Sequence, residues 1–125
     1  MKILAVDSHE SFLNIMRDCL GKADDVHILS DYDAALLLYK KNPTVYDLVI
    51  AGRSEDMLGA DALVKAIRFI NGEQRIALMT FTMPTDEQKA AFVKANIEVW
   101  DKGDHSNVLR KLIHSQSDTS RTMCV

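Results

Sequence analysis

Asp47-Leu48-Val49-Ile50-Ala51 is the stretch whose reading decides the fold. One acid is followed by an unbroken apolar run with no polar residue alternating in it, so a strand here buries both faces. Strands of this kind occur where helices cover a parallel sheet on both sides. Working outward, similar runs recur at Lys2 to Val6, Asp25 to Leu29, Arg75 to Phe81 and Glu98 to Lys102. Helical patterns separate them. His9 to Leu20 carries Phe12, Leu13, Met16 and Leu20 at helical spacing, with Ser8 as the expected N-cap. Asp33 to Lys41 follows, with Ser30 as its expected cap and Asn42-Pro43 as its stop. Gly59 to Ile70 places Leu63, Ala66, Ile67 and Ile70 on one face, and Asn71-Gly72 is expected to end it at φ > 0. Thr85 and Gln88 read as a capping box behind Pro84, opening a helix that reaches about Asn96. Asp104 to about Ser115 is the last helix, with Val108, Leu109, Leu112 and Ile113 as its apolar face.

The order is β-α repeated five times, which right-handed crossovers wind into an α/β doubly wound parallel sheet. In such folds the functional crevice lies at the carboxyl ends of the strands. Those ends are Asp7-Ser8, Ser30, Gly52-Arg53, Thr80-Phe81 and Lys102-Gly103. Residues 1–115 read as one domain, and 116–125 as a polar tail or the stub of a linker.

Composition narrows the function classes. The chain has 125 residues, 47% hydrophobic and 26% charged, which is ordinary for a globular domain. A net charge of −3 without a basic stripe argues against nucleic-acid binding. No apolar run approaches the roughly 20 residues of a membrane helix, and the start lacks signal-peptide character. Two cysteines, Cys19 and Cys124, give no disulfide framework; Cys19 reads as an inert core thiol. His9, His27, His105 and His114 are scattered without ligand spacing, and no metal or other cofactor is expected. The absences together point to the cytoplasm. There is no G-x-G-x-x-G, P-loop, nucleophile elbow or zinc spacing, so an enzyme is not expected.

The arrangement resembles the receiver domain of two-component response regulators, of the chemotaxis type. Met1 to Asp7 looks like the opening strand of that family, and Asp31-Tyr32-Asp33-Ala34-Ala35-Leu36 like the start of its second helix. Asp47 to Ile50 looks like its third strand, with Met57-Leu58-Gly59 and Ala66-Ile67-Arg68 like the segment that follows. Ile76 to Thr80 and Trp100-Asp101-Lys102 look like its last two strands. The resemblance runs from Lys2 to about Ile113 and implies the flavodoxin-like strand order 2-1-3-4-5. It also implies a phosphoryl site. Adjacent acids after the first strand hold Mg²⁺, an Asp ending the third strand is the nucleophile, and a Ser/Thr and a Lys bind phosphoryl oxygens.

Here Asp7, Thr80 and Lys102 match that set, and the rest departs from it. Ser8 stands where the second acid is expected, and Gly52 where the phospho-acceptor Asp is expected. Phe81 replaces the small residue after the Thr and could cover the phosphate position, Val99 replaces an aromatic, and Gly103 replaces a proline. Without a nucleophile no aspartyl phosphate forms. The resemblance is therefore to a degenerate pseudo-receiver whose vestigial site is Asp7, Ser8, Gly52, Thr80, Phe81 and Lys102. An Asp7–Lys102 ion pair is expected to plug that site, because each buried charge needs a partner. Thr80 reads equally well as a core threonine. Glu55 and Asp56 read as solvated loop charges, Phe92 and Trp100 as core, and Met16, Met57, Met79 and Met83 as packing.

The expected function is a phosphorylation-independent interaction module in bacterial two-component signalling. The resemblance implies an output face on the fourth helix, fifth strand and fifth helix, with Phe92, Val99, Asp101 and Leu109 as candidate partner-binding residues. Expected partners are proteins: a histidine kinase, another regulator, an output domain, or a second copy of the chain. The alternative is the N-terminal regulatory domain of a DNA-binding response regulator whose output domain lies beyond Val125.

Overall fold

The structure, a computed structural model, describes residues 1–21, 25–54 and 58–117, with side chains to residue 113. Five parallel strands form one sheet: β1 (Lys2–Val6), β2 (Asp25–Leu29), β3 (Leu48–Gly52), β4 (Ile76–Thr80) and β5 (Ile97–Asp101). Their order is β2-β1-β3-β4-β5, the doubly wound order expected. The helices are α1 (Glu10–Leu20), α2 (Tyr32–Lys41), α3 (Leu58–Ile70), α4 (Asp86–Lys94) and α5 (His105–Ser117). A 3-10 turn, Lys102–Asp104, joins β5 to α5.

The unbroken apolar runs are explained by the two half-cores. β1, β3 and β4 occupy the middle of the sheet, and successive side chains leave on opposite faces. Ile3, Ala5, Leu48, Ile50, Ala77 and Met79 point to α1 and α5, where Phe12, Met16, Leu20, Leu109 and Leu112 meet them. Leu4, Val6, Val49, Ala51, Ile76 and Leu78 point the other way, onto Ala35, Tyr39, Leu63, Val64, Ile67 and Phe92. Every position of the central strands is therefore buried on one side or the other, with only Lys2 in between. Each fully buried Leu or Ile contributes about 1.5–3 kcal/mol relative to exposure.

Several local expectations change. The N-cap of α1 is His9, not Ser8, and its side chain makes no cap bond. The cap of α2 is Asp31, not Ser30: its carboxylate accepts from the Asp33 and Ala34 amides, a full charge at the positive end of the helix. The Thr85–Gln88 capping box forms as expected, with both reciprocal bonds. Among the described residues the one positive φ is 57° at Asn96, which turns α4 into β5; Asn71-Gly72 ends α3 without it. On α3 the buried face is Ala60, Leu63, Val64 and Ile67, so Ile70 is displaced to the exposed side. Met16 and Met79 are core as expected, but Met83 is 45% exposed. Trp100 and Cys19 are half-buried at the margin of the α1/α5 core. α5 runs to Ser117, past the expected boundary at 115. Glu55, Asp56, Met57, Cys124, the His114 side chain and the tail from 118 onward lie outside the described residues. No described helix is long and apolar enough to cross a membrane.

Candidate functional site

The carboxyl ends of β1, β3, β4 and β5 converge on one crevice, and the charges there are internal. Asp7 follows β1 and is fully buried; Lys102 follows β5 and is 1% exposed. Lys102 Nζ stands 2.5 Å from Asp7 Oδ2. That approach is an ion pair held by charge, because Oδ2 receives no well-directed hydrogen bond. The ammonium donates instead to the Arg53 carbonyl at 2.7 Å. It also lies 4.4 Å from the Phe12 ring centroid and 5.4 Å from that of Phe81, on the ring faces that favour a cation. The other carboxylate oxygen of Asp7 accepts from the His9 amide at 2.8 Å. The expected ion pair is therefore present, and both members are fixed from more than one side.

Gly52 makes this possible. A Cβ on Gly52 would fall onto the Asp7 carboxylate, with Asp7 Cγ only 2.9 Å away. The space that a side chain at the end of β3 would take is filled by the carboxylate of Asp7. Tyr32, at the start of α2, donates to the Gly52 carbonyl at 2.6 Å and accepts from the Ser8 amide at 3.4 Å, tying the first and third strand ends together. Thr80 is 1% exposed and its hydroxyl donates to the Thr82 carbonyl at 2.9 Å, so it serves its own loop. Phe81 is 68% exposed; it leans over the ammonium rather than filling the crevice. The remaining opening, about 310 Å³, is lined by His9, Arg53, Ser54, Thr80, Phe81, Thr82 and Lys102.

The Mg²⁺ that the receiver fold implies does not fit these residues. A hard dication seeks several carboxylate and carbonyl oxygens. Asp7 supplies one carboxylate, its Oδ2 already faces an ammonium, and Ser8 and Gly52 add no second carboxylate beside it. No group of His, Cys, Asp and Glu among the described residues could hold a metal.

Tyr32 and Asp61 were not marked as site residues in the sequence, and Arg53 was marked only by its place at a strand end, not as one half of a buried ion pair. Arg53 looks like a loop cation, yet it is 7% exposed. Its guanidinium makes two 2.8 Å bonds to the Asp61 carboxylate on α3. The available signal was an acid in the first turn of the helix that follows the loop. Among the expected partner-binding residues, Leu109 is corrected: it is fully buried between α5 and the sheet and offers nothing to a partner. Phe92 is 9% exposed and belongs to the core. Val99 is half-buried and Asp101 exposed. Asp101 accepts the Gly103 amide at 2.8 Å, a bond that a proline at 103 could not donate.

No family model and no curated protein matches the sequence. Solved structures do match the fold. A response regulator receiver domain protein from Clostridium thermocellum superimposes with a TM-score of 0.79 at 19% identity, covering 98% of each chain. The chemotaxis protein CheY4 of Vibrio cholerae gives 0.74 at 24% identity, over 90% of this chain and 95% of that one. The CheX–CheY–BeF3–Mg complex from Borrelia burgdorferi gives 0.76 at 13% identity, over 91% and 87%. The fold is the receiver fold. The likeness is one of fold, and in this chain the crevice at the strand ends holds the Asp7–Lys102 ion pair beside Gly52.

Proposed function

We propose that this chain is a pseudo-receiver: a signalling module of two-component type that acts by binding proteins and is not switched by phosphoryl transfer. One observation carries the reading. The place of the nucleophile belongs to Gly52, and the space its side chain would need is held by Asp7 paired with Lys102. Phosphoryl transfer needs a nucleophile and a cation to neutralise developing charge. The crevice supplies neither, and its lysine is already engaged.

The output surface in this proposal is α4, β5 and α5. Val93 is 77% exposed on α4, and Met83 45% exposed just before it. With Phe92, Ile97 and Val99 they line a groove of about 500 Å³ between α4 and β5. Lys89 and Glu98 add charge to its lining. A mixed apolar and charged surface of this kind suits a reversible protein partner, such as a kinase, another regulator or an output domain. The test is intact-mass spectrometry after incubation with acetyl phosphate and Mg²⁺. An unmodified chain is expected. A stoichiometric gain of one phosphoryl group, acid-stable or acid-labile, would overturn the proposal.

A further inference from the structure

Of the nine residues of α4, only Phe92 is buried. The rest of the helix stands on the surface, so its position depends on what Phe92 rests against. Part of that support is Arg53: its guanidinium carbon lies 5.6 Å from the Phe92 ring centroid. The same guanidinium is clamped to Asp61 on α3 by two 2.8 Å bonds. The Arg53 amide donates to Met79 of β4 at 2.8 Å. Its carbonyl accepts from Lys102 at 2.7 Å, and Lys102 is paired with Asp7. One residue thus joins the crevice, α3 and the sole buried side chain of α4. A bidentate arginine–carboxylate pair that is mostly shielded from water holds both direction and distance, which a single lysine contact does not.

We propose that Arg53 is a positioning residue that fixes the α4 face from the crevice. It acts as an internal latch that needs no covalent modification to close. This rests on the reading that α4 forms part of the interaction surface. With the latch closed, the surface around Val93 and Met83 is presented in one arrangement. A partner that displaces Phe92 or draws Asp61 away would release α4 without any covalent change.

The test is hydrogen exchange on the full chain, resolved by segment. In Arg53→Met, exchange over residues 86–95 should rise about tenfold, the factor given by roughly 1.4 kcal/mol of local stability. Exchange over α1 should stay unchanged. Asp61→Asn, which keeps Arg53 and Phe92 in place, should show the same pattern at smaller amplitude. Arg53→Lys, which keeps a cation near the ring but not the fork, should fall between Arg53→Met and the unaltered chain. Unchanged α4 exchange in Arg53→Met and Asp61→Asn would overturn the proposal, as would a rise of equal size in α1 and α2. If Arg53→Met does not fold, the Asp61→Asn pattern decides. Phosphoryl uptake by the unaltered chain would overturn the proposed function and leave this exchange pattern standing, so the two failures are distinguishable.

Discussion

Breaking the Asp7–Lys102 pair from one side should cost far more than removing it whole. At 2.5 Å the Coulombic attraction is about 7 kcal/mol for an effective dielectric near 20. Most of that is offset by taking two ions out of water, since Asp7 is fully buried and Lys102 is 1% exposed. Removing one partner leaves the other charge with its desolvation cost and without its compensation. Lys102→Met and Asp7→Asn should therefore each lose about 3–5 kcal/mol. Asn can keep the acceptor for the His9 amide, so that substitution isolates the oxygen that faces Lys102. Methionine keeps the length of the chain beside the Phe12 ring but surrenders the bond to the Arg53 carbonyl. In the double variant neither charge is stranded. The loss should fall short of the sum of the singles, giving a coupling energy of about 2–4 kcal/mol. Urea unfolding of the four proteins, with equal m-values, measures it. A coupling below about 0.5 kcal/mol would refute the reasoning, because it would place the two charges in water rather than against each other.

Gly52→Asp should destabilise the chain by about 2–4 kcal/mol and still take up no phosphate, because the new Cβ displaces a carboxylate pinned by Lys102 and His9. Gly52→Ala should lose a similar amount; an alanine variant as stable as the parent in urea would show that Asp7 moves freely. Burial pushes the Tyr39 hydroxyl above its ordinary value, opposed in part by Asn71 and Arg68. Burial and the Asp25 charge do the same to Tyr46. Raised tyrosines stay neutral longer in the fold than in the unfolded chain. The stability they contribute is present below about pH 10 and lost as pH rises above it. A Tyr39→Phe variant should decline less steeply than the parent across that range, and parallel declines would sink the assignment.

How much of this was legible in the sequence depended on whether the signal was periodic. The three central strands were readable because a strand buried on both faces cannot tolerate polar residues, and Leu48 to Ala51 shows none. Asp7 and Lys102 were readable because a charge at the end of such a run must be paired once buried. Caps were misread at Ser8 and Ser30 because several capping residues cluster there, and choosing among them depends on where the chain leaves the strand. Leu109 was misread because position on a resembling face says nothing of which way a side chain turns; the helical period places it with Leu112, on the inner side. Arg53 carried no periodic signal at all. A loop arginine becomes a buried clamp only through an acid eight residues on, in a helix whose placement the local sequence does not set.

The contacts at the crevice form a dependent set, and this bears on how the site responds to substitution. A glycine at position 52 leaves space at the end of β3 for the Asp7 carboxylate, next to the Tyr32-bound carbonyl. The Asp7 carboxylate that occupies this space is desolvated and needs a cation, and Lys102 supplies it. The ammonium then needs its remaining surroundings satisfied. The Arg53 carbonyl and the faces of Phe12 and Phe81 do so, which gives an exposed phenylalanine at 81 a role that a small residue would not fill. With Lys102 drawn inward, the following turn is capped by Asp101 through the Gly103 amide, which requires a residue with an N–H at that point. Each step stabilises the one before it. Reversing any single step therefore meets the others as an opposing set, and a carboxylate at position 52 would have to compete with Asp7 for both its space and its lysine.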